Sequence, residues 1–303
     1  MSHTKGFVTV ATGDEKYYQI AANLYLSYKK RGCGNYPFAL ICDRENEYTA
    51  LFEDVVLVSD FQKSTIDKLL MYLSPYEESI FIDADTLILK PIDDLWEIFQ
   101  DQAPVCAFGC KLPLDSQKGW FTYEGCGKYQ SRISFLISMN GGIYYFRKCD
   151  LAESVFAKAA TLVGEYSTID FKYFSTPADE PVMALSMALH NCAPCDVRYD
   201  MIVLPAEKAG ITTDCLGNVY AGSQPSPAKL IHFSTRRTEL SLYQYLAACN
   251  RNGDAWRSRK HYLQTMLRCG FRDLRFQSFH FAGAVLRRVG LGDTIRHIKK
   301  ILR

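Results

Sequence analysis

The sequence predicts an α/β protein with a mixed, mostly parallel sheet flanked by helices and followed by a basic helical C-terminal extension. Short apolar or β-branched runs alternate with helical patterns over the first ninety residues, which is the order expected of a parallel sheet covered by helices. The chain has 303 residues, of which 48% are hydrophobic and 22% charged. These values are typical of a globular protein and exclude disorder for most of the chain.

The predicted elements follow one another in a regular order. Residues 16–30 place Tyr17, Ile20, Leu24 and Tyr28 on one face of a first helix. A second helix is expected to begin at Ser64, with Asp67 three residues later as its capping-box partner. Strands are predicted at residues 7–11, 38–42, 55–58 and 80–82. The carboxyl ends of these strands share one edge of the sheet, where ligands of such proteins bind.

Two carboxylates, Asp83 and Asp85, directly follow the fourth strand in the segment SIFIDADTLILK. Residues two apart in an extended chain point to the same side, so the two side chains are expected to converge. Two like charges held close together are costly unless a cation neutralises them, and Mg²⁺ or Mn²⁺ shares such carboxylates with substrate phosphates. The alternative is a polar turn. Asp93 and Asp94 are predicted to cap a helix instead.

The stretch from Asp67 to Phe99 resembles the core of GT-A-fold glycosyltransferases of family 8, the glycogenin and lipooligosaccharide galactosyltransferase group. It contains, in order, a Lys-Leu pair, an apolar strand, D-A-D, a Leu-rich stretch and D-x-L-[FW]. Three further segments match in the same order: VTVATGDEKYY, MNGGIYYF and KLIHF. The resemblance spans roughly residues 6–240 and implies a GT-A (nucleotide-diphospho-sugar transferase) domain at residues 1–248.

The resemblance also implies roles for individual residues. Asp83, Asp85 and His232 are expected to hold Mn²⁺ or Mg²⁺. Asp179 and Glu180 occupy the place of the family's catalytic pair beside the anomeric carbon. The positions expected to contact the nucleotide-sugar donor are Thr9, Ala11, Thr12, Tyr17, Lys68, Asp83, Ala84, Asn140, Gly142, Arg236 and Arg237. The implied activity is metal-dependent transfer of a hexose, from a UDP-sugar, to a hydroxyl acceptor with retention of configuration.

Two segments depart from the family pattern. The D-Q-D-x-x-N block is reduced to Asp179-Glu180, and its second Asp and its Asn are missing. The family's G-x-x-K-P-W after His232 is replaced by FSTRRT, in which Arg236 or Arg237 can supply positive charge to a β-phosphate.

Several of these residues also have plainer interpretations. His232 can be a core histidine with one hydrogen bond, and Lys68 a solvated charge on a helix. Asn140 can belong to a tight turn, and Asp179 can cap the helix that Pro181 starts. Two other functions stay open for the chain. One is a sugar-nucleotide nucleotidyltransferase, although TGDEKYY lacks the Gly-rich basic loop of such enzymes. The other is a non-catalytic glycan- or lipid-binding module.

The C-terminal extension, predicted at residues 249–303, is strongly basic. Residues 251–303 carry thirteen basic and three acidic residues, a net charge of +10 in a chain whose total is +2. A basic amphipathic helix predicted at residues 293–303 suits an anionic membrane and a lipid-linked glycan acceptor; the alternative is a helix docked on the acidic body. The nucleic-acid motifs sought, a zinc finger, an RNP motif and a KH loop, are not found.

The N-terminus lacks the apolar core of a signal peptide. The eleven cysteines are an odd number, which favours reduced thiols over a disulfide framework. Both observations predict a cytoplasmic protein, and the basic tail predicts that it is membrane-peripheral.

Overall fold

The structure is a computed structural model that describes residues 4–32, 34–204, 211–213, 218–221, 226–233, 237–252, 261 and 264–265. The chain divides into two compact units, Met1–Ser234 and Thr235–Arg303. The domain boundary at residue 248 stays a prediction. The tail helix predicted at 293–303 lies outside the described residues.

Eleven strands are seen in the described residues, all of them in the first unit. They are β1 Lys5–Ala11, β2 Phe38–Cys42, β3 Asp54–Leu57, β4 Glu78–Ile82, β5 Thr86–Ile88, β6 Val105–Leu112, β7 Leu136–Arg147, β8 Met201–Val203, β9 Ile211–Thr213, β10 Val219–Ala221 and β11 Leu230–His232. The four strands predicted from the sequence correspond to β1, β2, β3 and β4.

The main sheet has six strands in the order β3–β2–β1–β4–β7–β6. Strands β3, β2, β1 and β4 run parallel to one another. Strand β7 is antiparallel to β4, and β6 is antiparallel to β7. The prediction of a mixed, mostly parallel sheet is therefore confirmed.

A second sheet places β11 between β5 and β8. Strand β11 is antiparallel to β5, with His232 opposite Thr86, and parallel to β8. Because β5 follows β4 after only three residues, this small sheet brings His232 to the carboxyl end of β4. Strands β9 and β10 form a separate antiparallel pair.

The α-helices are α1 Glu15–Arg31, α2 Leu95–Phe99, α3 Asp150–Gly164 and α4 Asp179–Leu189 in the first unit and α5 Ser241–Asn252 in the second. Short 3-10 helices occur at Thr49–Leu51, Thr65–Leu73, Glu124–Arg132 and Tyr166–Thr168. Helix α1 carries Glu15 in its first turn and three basic residues in its last, which complements the helix dipole at both ends. Within the described part of the chain, no helix combines the length and apolarity needed to cross a bilayer.

The main sheet is covered on both faces. Phe7 of β1 belongs to the apolar cluster that contains α1 and α2, whereas Val8 belongs to the cluster that contains α3 and α4. Both side chains are fully buried. Burial on both faces explains why β1 and β2 are nearly continuous apolar runs without alternation.

Two predicted helix caps are wrong, because the carboxylates expected to cap the helices bind other residues. Ser64 does cap the Thr65–Leu73 helix, since its hydroxyl accepts from the Ile66 amide. Asp67, however, does not complete a capping box; its carboxylate accepts from the Gln62 amide and from Thr12. The Asp67 carboxylate therefore binds residues outside the helix, and not the helix end to which the local pattern assigned it.

The expected cap of α2 is also replaced by tertiary contacts. The Asp94 side chain makes no cap hydrogen bond, and it accepts instead from the Tyr199 hydroxyl and from Lys229. Asp93 accepts from Asn35. On α1, the rings of Tyr18 and Tyr28 are fully buried, whereas Tyr17 is only half-buried.

Candidate functional site

The two carboxylates after β4 lie in a tight turn. The Thr86 amide donates to the Asp83 carbonyl at 3.0 Å, which closes the turn and replaces the extended geometry expected from the sequence. The Asp83 amide donates to the Gly142 carbonyl at 2.9 Å, and the Phe233 amide donates to the Asp85 carbonyl at 2.9 Å. The turn is therefore held on one side by β7 and on the other by the end of β11.

Asp83, Asp85 and His232 meet at this turn. His232 Nε2 lies 3.2 Å from Asp83 Oδ2 and 3.0 Å from Asp85 Oδ1, and all three side chains are buried. One ligand atom from each lies within 4.8 Å of the others. Burial lowers the pKa of His232, but its contacts with both carboxylates outweigh burial and raise it to about 10.

Asn140 and Gly142 of β7 set the orientation of the His232 ring. The Asn140 side-chain oxygen accepts from the Gly142 amide at 2.9 Å and lies 3.3 Å from His232 Nδ1. A Cβ at Gly142 would lie 2.6 Å from His232 Nδ1 and 2.7 Å from Asn140 Oδ1. Only glycine allows this approach, and the amide oxygen leaves Nε2 facing the carboxylates.

Lys68 is the cation of the site. Its Nζ lies 2.5 Å from Asp83 Oδ2 and 3.7 Å from Asp179 Oδ2. Burial lowers the pKa of Lys68, but Asp179 and Asp83 outweigh burial and hold it well above its usual value. For Asp83, burial alone would raise the pKa, but Lys68 and His232 outweigh burial and hold it well below the usual range. The ammonium therefore stays charged between two carboxylates.

Asp179 and Glu180 form the first turn of α4. The Glu180 carboxylate accepts from the Gly141 amide at 2.7 Å, whereas the buried Asp179 Oδ2 accepts no hydrogen bond. Burial raises the pKa of Asp179 to about 7, although Lys68 opposes this, and burial also raises the pKa of Glu180. Asp179 does not cap α4 with its side chain, so its carboxylate points into the site instead.

The segment at the end of β1 lies on the neighbouring strand of the sheet. Thr9 and Ala11 are buried, and Tyr17 is half-buried. The Thr12 hydroxyl donates to Asp67 Oδ2 at 2.6 Å, which ties the end of β1 to the helix that carries Lys68.

The structure says less about the other residues predicted to contact the donor. Ala84 is buried within the turn after β4, Arg236 lies outside the described residues, and Arg237 lies in the second unit.

Two site residues escaped sequence reasoning. Asp67 was read as a local cap, because its partner Thr12 is 55 residues away. Tyr144 has a buried hydroxyl without a hydrogen-bond partner. A Cβ at Gly141 would lie 3.1 Å from that hydroxyl and 3.0 Å from Asp179 Oδ2. The period of two along β7, which relates Asn140, Gly142 and Tyr144, is the signal that could have found it.

A cleft of about 510 Å³ is lined in part by Asn140. It lies between β6 and β7 and the segment that contains Asp196 and Arg198. The Gly109 amide donates to the Cys195 carbonyl at 2.9 Å and so joins the two walls. The volume is within the range of small-molecule sites.

No protein-family model matches the chain, and no curated protein matches its sequence. Several solved structures resemble it. The bifunctional glycosyltransferase WbbM, in its apo structure, matches with a TM-score of 0.49 at 12% identity over 80% of this chain and 48% of its own. The glycosyltransferase GlyE of Streptococcus pneumoniae TIGR4 matches with a TM-score of 0.44 at 14% identity over 65% of this chain and 46% of its own.

A stronger match is the galactosyltransferase LgtC, crystallised with donor and acceptor sugar analogues. Its TM-score is 0.53 at 12% sequence identity, and the match covers 80% of this chain and 95% of LgtC. The sheet order and the helices on both faces agree with this likeness. The chain therefore has the GT-A fold.

Proposed function

We propose that the protein is a metal-dependent glycosyltransferase that moves a hexose from a nucleotide diphosphate sugar, a UDP-sugar, to a hydroxyl acceptor. The observation that carries the proposal is the meeting of Asp83, Asp85 and His232 at the carboxyl end of a parallel strand. Ligands of open α/β sheets bind at this edge. The GT-A fold supports the same function.

The three side chains fit a divalent metal. Two carboxylate oxygens and one imidazole nitrogen form a donor set suited to Mn²⁺, and also to Mg²⁺. The side-chain oxygen of Asn140 lies beside the other nitrogen of the imidazole, which is the usual support of a ligating histidine. When bound, the metal supplies Lewis-acid stabilisation of the charge on the departing diphosphate.

Lys68 adds a cation of the protein itself at the same place. Its ammonium lies between Asp83 and Asp179, and its raised pKa keeps it charged. A fixed positive charge in a buried site stabilises negative charge on a leaving group without reorganisation. We assign to Lys68 the stabilisation of the donor diphosphate.

Asp179 and Glu180 are the proposed catalytic carboxylates. Glu180 is held by the Gly141 amide, whereas Asp179 Oδ2 has no hydrogen bond. Asp179 is therefore the carboxylate free to face a positively charged sugar ring, either as a nucleophile or as an electrostatic stabiliser. Retention of configuration belongs to the proposal, and the anomer of the first-formed product, read by NMR, tests it.

The acceptor and the location of the protein are proposed from charge and shape. The lining of the cleft beside Asn140 includes the polar side chains of Ser138, Asp196 and Arg198, which can bind sugar hydroxyls. The net charge of +10 on residues 251–303 supports a lipid-linked glycan at an anionic membrane surface. A cytoplasmic, membrane-peripheral enzyme follows from that proposal.

The deciding experiment is calorimetry of UDP binding with and without Mn²⁺. We expect binding that requires Mn²⁺ in the wild type, that is lost in Asp85→Asn, and that persists in Asp60→Asn, a control on an exposed residue. Mn²⁺ binding alone, followed by electron paramagnetic resonance, reports the metal site separately from the nucleotide.

The outcomes separate the candidate functions. UDP binding with transfer from a UDP-sugar supports the glycosyltransferase. Formation of a sugar nucleotide from a nucleoside triphosphate and a sugar phosphate replaces it with a nucleotidyltransferase. Glycan binding without any nucleotide binding, after GDP and CMP have also been tried, replaces it with a non-catalytic module.

A further inference from the structure

Three aromatic rings form a small, partly exposed cluster: Trp120, Tyr173 and Phe174. The centroid of the Trp120 ring lies 5.9 Å from that of Tyr173 and 5.6 Å from that of Phe174. Tyr173 is 79% exposed, the highest value among the exposed large apolar side chains of the described residues. Grouped rings left in solvent mark interaction sites more often than single exposed residues do.

Hydrogen bonds and a backbone bridge hold together the two segments that carry the cluster. The Trp120 indole N–H donates to the Met139 carbonyl at 3.2 Å. The Lys172 amide donates to the Trp120 carbonyl at 2.7 Å, and Phe121 forms an isolated bridge with Phe171. The two segments that carry the rings are thus joined by backbone contacts. The Trp120 ring is held in place by its hydrogen bond, and the backbone that carries the other two rings is fixed beside it, which lowers the entropic cost of binding.

The backbone of Tyr173 is also strained. Its φ of 69° lies in the left-handed region, which is unfavourable for a bulky residue. Strain of this kind is found at ligand clamps and active sites, where the surrounding structure maintains it. Here the strained residue is also the one whose ring is most exposed.

Short connections link the cluster to the proposed site. Met139, which accepts from Trp120, directly precedes Asn140. Phe174 lies five residues before Asp179 in the chain. The hydrogen bond between Gly141 and Glu180 joins the two segments that carry Asn140 and Asp179. Both segments that bear the rings therefore continue directly into the proposed site.

We infer that the aromatic cluster binds a pyranose ring of the acceptor glycan, with the apolar C–H face of the sugar stacked on Tyr173. This inference rests on the proposed function. An aromatic ring offers a large, rigid surface with few rotatable bonds, and the segments that bear the rings continue into those that carry Asn140 and Asp179.

A lipid surface fits the cluster less well. Trp120 is half-buried and Phe174 is only 37% exposed, so one ring alone is broadly available. The Lys172 ammonium donates to the Gln117 carbonyl at 2.7 Å, so it is already hydrogen-bonded within the protein. Membrane anchoring by aromatics needs a wider apolar surface together with basic groups.

The test is saturation-transfer NMR with four sugars: methyl β-D-galactopyranoside, methyl α-D-glucopyranoside, lactose and maltose. Tyr173→Gly removes the ring and at the same time relieves the left-handed backbone, so the variant is expected to fold. Tyr173→Phe keeps the ring. Leu57→Ala removes an exposed apolar side chain on β3 and serves as the matched control.

We expect transfer to the ring protons of at least one sugar in the wild type, in Tyr173→Phe and in Leu57→Ala. In Tyr173→Gly we expect the affinity to fall about fivefold, the loss that corresponds to one aromatic contact. Equal transfer in Tyr173→Gly, or no transfer to any of the four sugars in the wild type, overturns the inference.

Two further measurements distinguish sugar binding by the cluster from membrane binding and from failure of the proposed function. If Tyr173→Gly loses binding to vesicles of phosphatidylglycerol but not to sugars, the cluster is a membrane contact and the inference is wrong. UDP binding in the presence of Mn²⁺ is measured on the same samples. Intact UDP binding with unchanged sugar binding in Tyr173→Gly rejects the cluster alone, whereas absent UDP binding rejects the proposed function.

Discussion

Lys68 shows how much of the site depends on contacts between distant residues. Its ammonium bridges Asp83, which follows β4, and Asp179, which starts α4. The sequence placed all three residues in the site through family resemblance, but it gave no reason to join them. Nothing local to residue 68 distinguishes a buried bridging lysine from a solvated one, because the two carboxylates come from other parts of the chain.

Asp179 is expected to make the stability of the protein depend on pH. Burial raises its pKa from an ordinary 3.8 to about 7 in the folded state. Its contribution to stability is therefore fully present below about pH 4 and is lost as the pH rises through 7. Asp179→Asn removes this dependence, so the variant should gain stability relative to the wild type between pH 4 and pH 8, by an amount on the order of 3 kcal/mol.

The measurement is urea unfolding of metal-free protein at several pH values. Asp101→Asn, on an exposed residue, provides the control for removing one carboxylate. If the difference in unfolding free energy between Asp179→Asn and the wild type stays constant with pH, Asp179 does not carry a raised pKa.

At the scale of elements, the strands were more predictable than the helix ends. Strands β1, β2 and β4 are apolar runs buried on both faces, and such runs are visible in the sequence without knowledge of partners. The predicted helix caps are wrong because Asp67, Asp93 and Asp94 bind residues that are far away in the sequence. The turn at Asp83–Asp85 was misread for the same reason, since β7 and β11 hold it.

The approach of β11 to β7 depends on Gly142. A Cβ there would lie 2.6 Å from His232 Nδ1, so Gly142→Ala must displace the imidazole or the strand. We expect a loss of roughly 1–3 kcal/mol in unfolding free energy and weaker Mn²⁺ binding, both measured on the same variant. Mn²⁺ titration followed by electron paramagnetic resonance gives the second quantity.

Gly164→Ala is the matched control for this substitution. A Cβ at Gly164, the last residue of α3, meets no atom within 4 Å. It is expected to leave Mn²⁺ binding unchanged and stability equal or slightly raised. Equal effects of the two substitutions would show that the close approach at Gly142 is not required.

At the scale of the whole molecule, the fold class followed from the alternation of strands and helices, but the sheet order did not. The antiparallel placement of β7 beside the parallel strand β4 is set by pairing between residues about sixty apart, such as Ile82 and Ile143. No local pattern encodes such a partner. The family resemblance supplied what periodicity could not, namely that Asn140 and His232 belong beside Asp83.

The uneven distribution of charge predicts salt-dependent binding to anionic vesicles. We expect the full chain to bind phosphatidylglycerol vesicles at low salt, and to be released as salt screens the interaction. Replacing four tail residues by Gln should weaken binding by about 1 kcal/mol for each charge removed. The residues replaced are Arg296, Lys299, Lys300 and Arg303.

The control replaces four exposed basic residues of the first unit by Gln and so gives the same change in net charge. They are Lys29, Lys111, Lys128 and Arg132. Vesicle sedimentation that falls equally in both variants would contradict a specific role of the tail and would favour a helix docked on the acidic body.

The bridge made by Lys68 has a consequence for how the protein matures. A cluster of buried carboxylates with no positive charge nearby would oppose its own closure, and the chain would then need its cation in order to fold. Because Lys68 brings a charge encoded in the polypeptide to Asp83 and Asp179, a newly synthesised chain can close this region before the proposed metal binds. Scarcity of the ion would then limit how much of the protein works, and not how much of it accumulates.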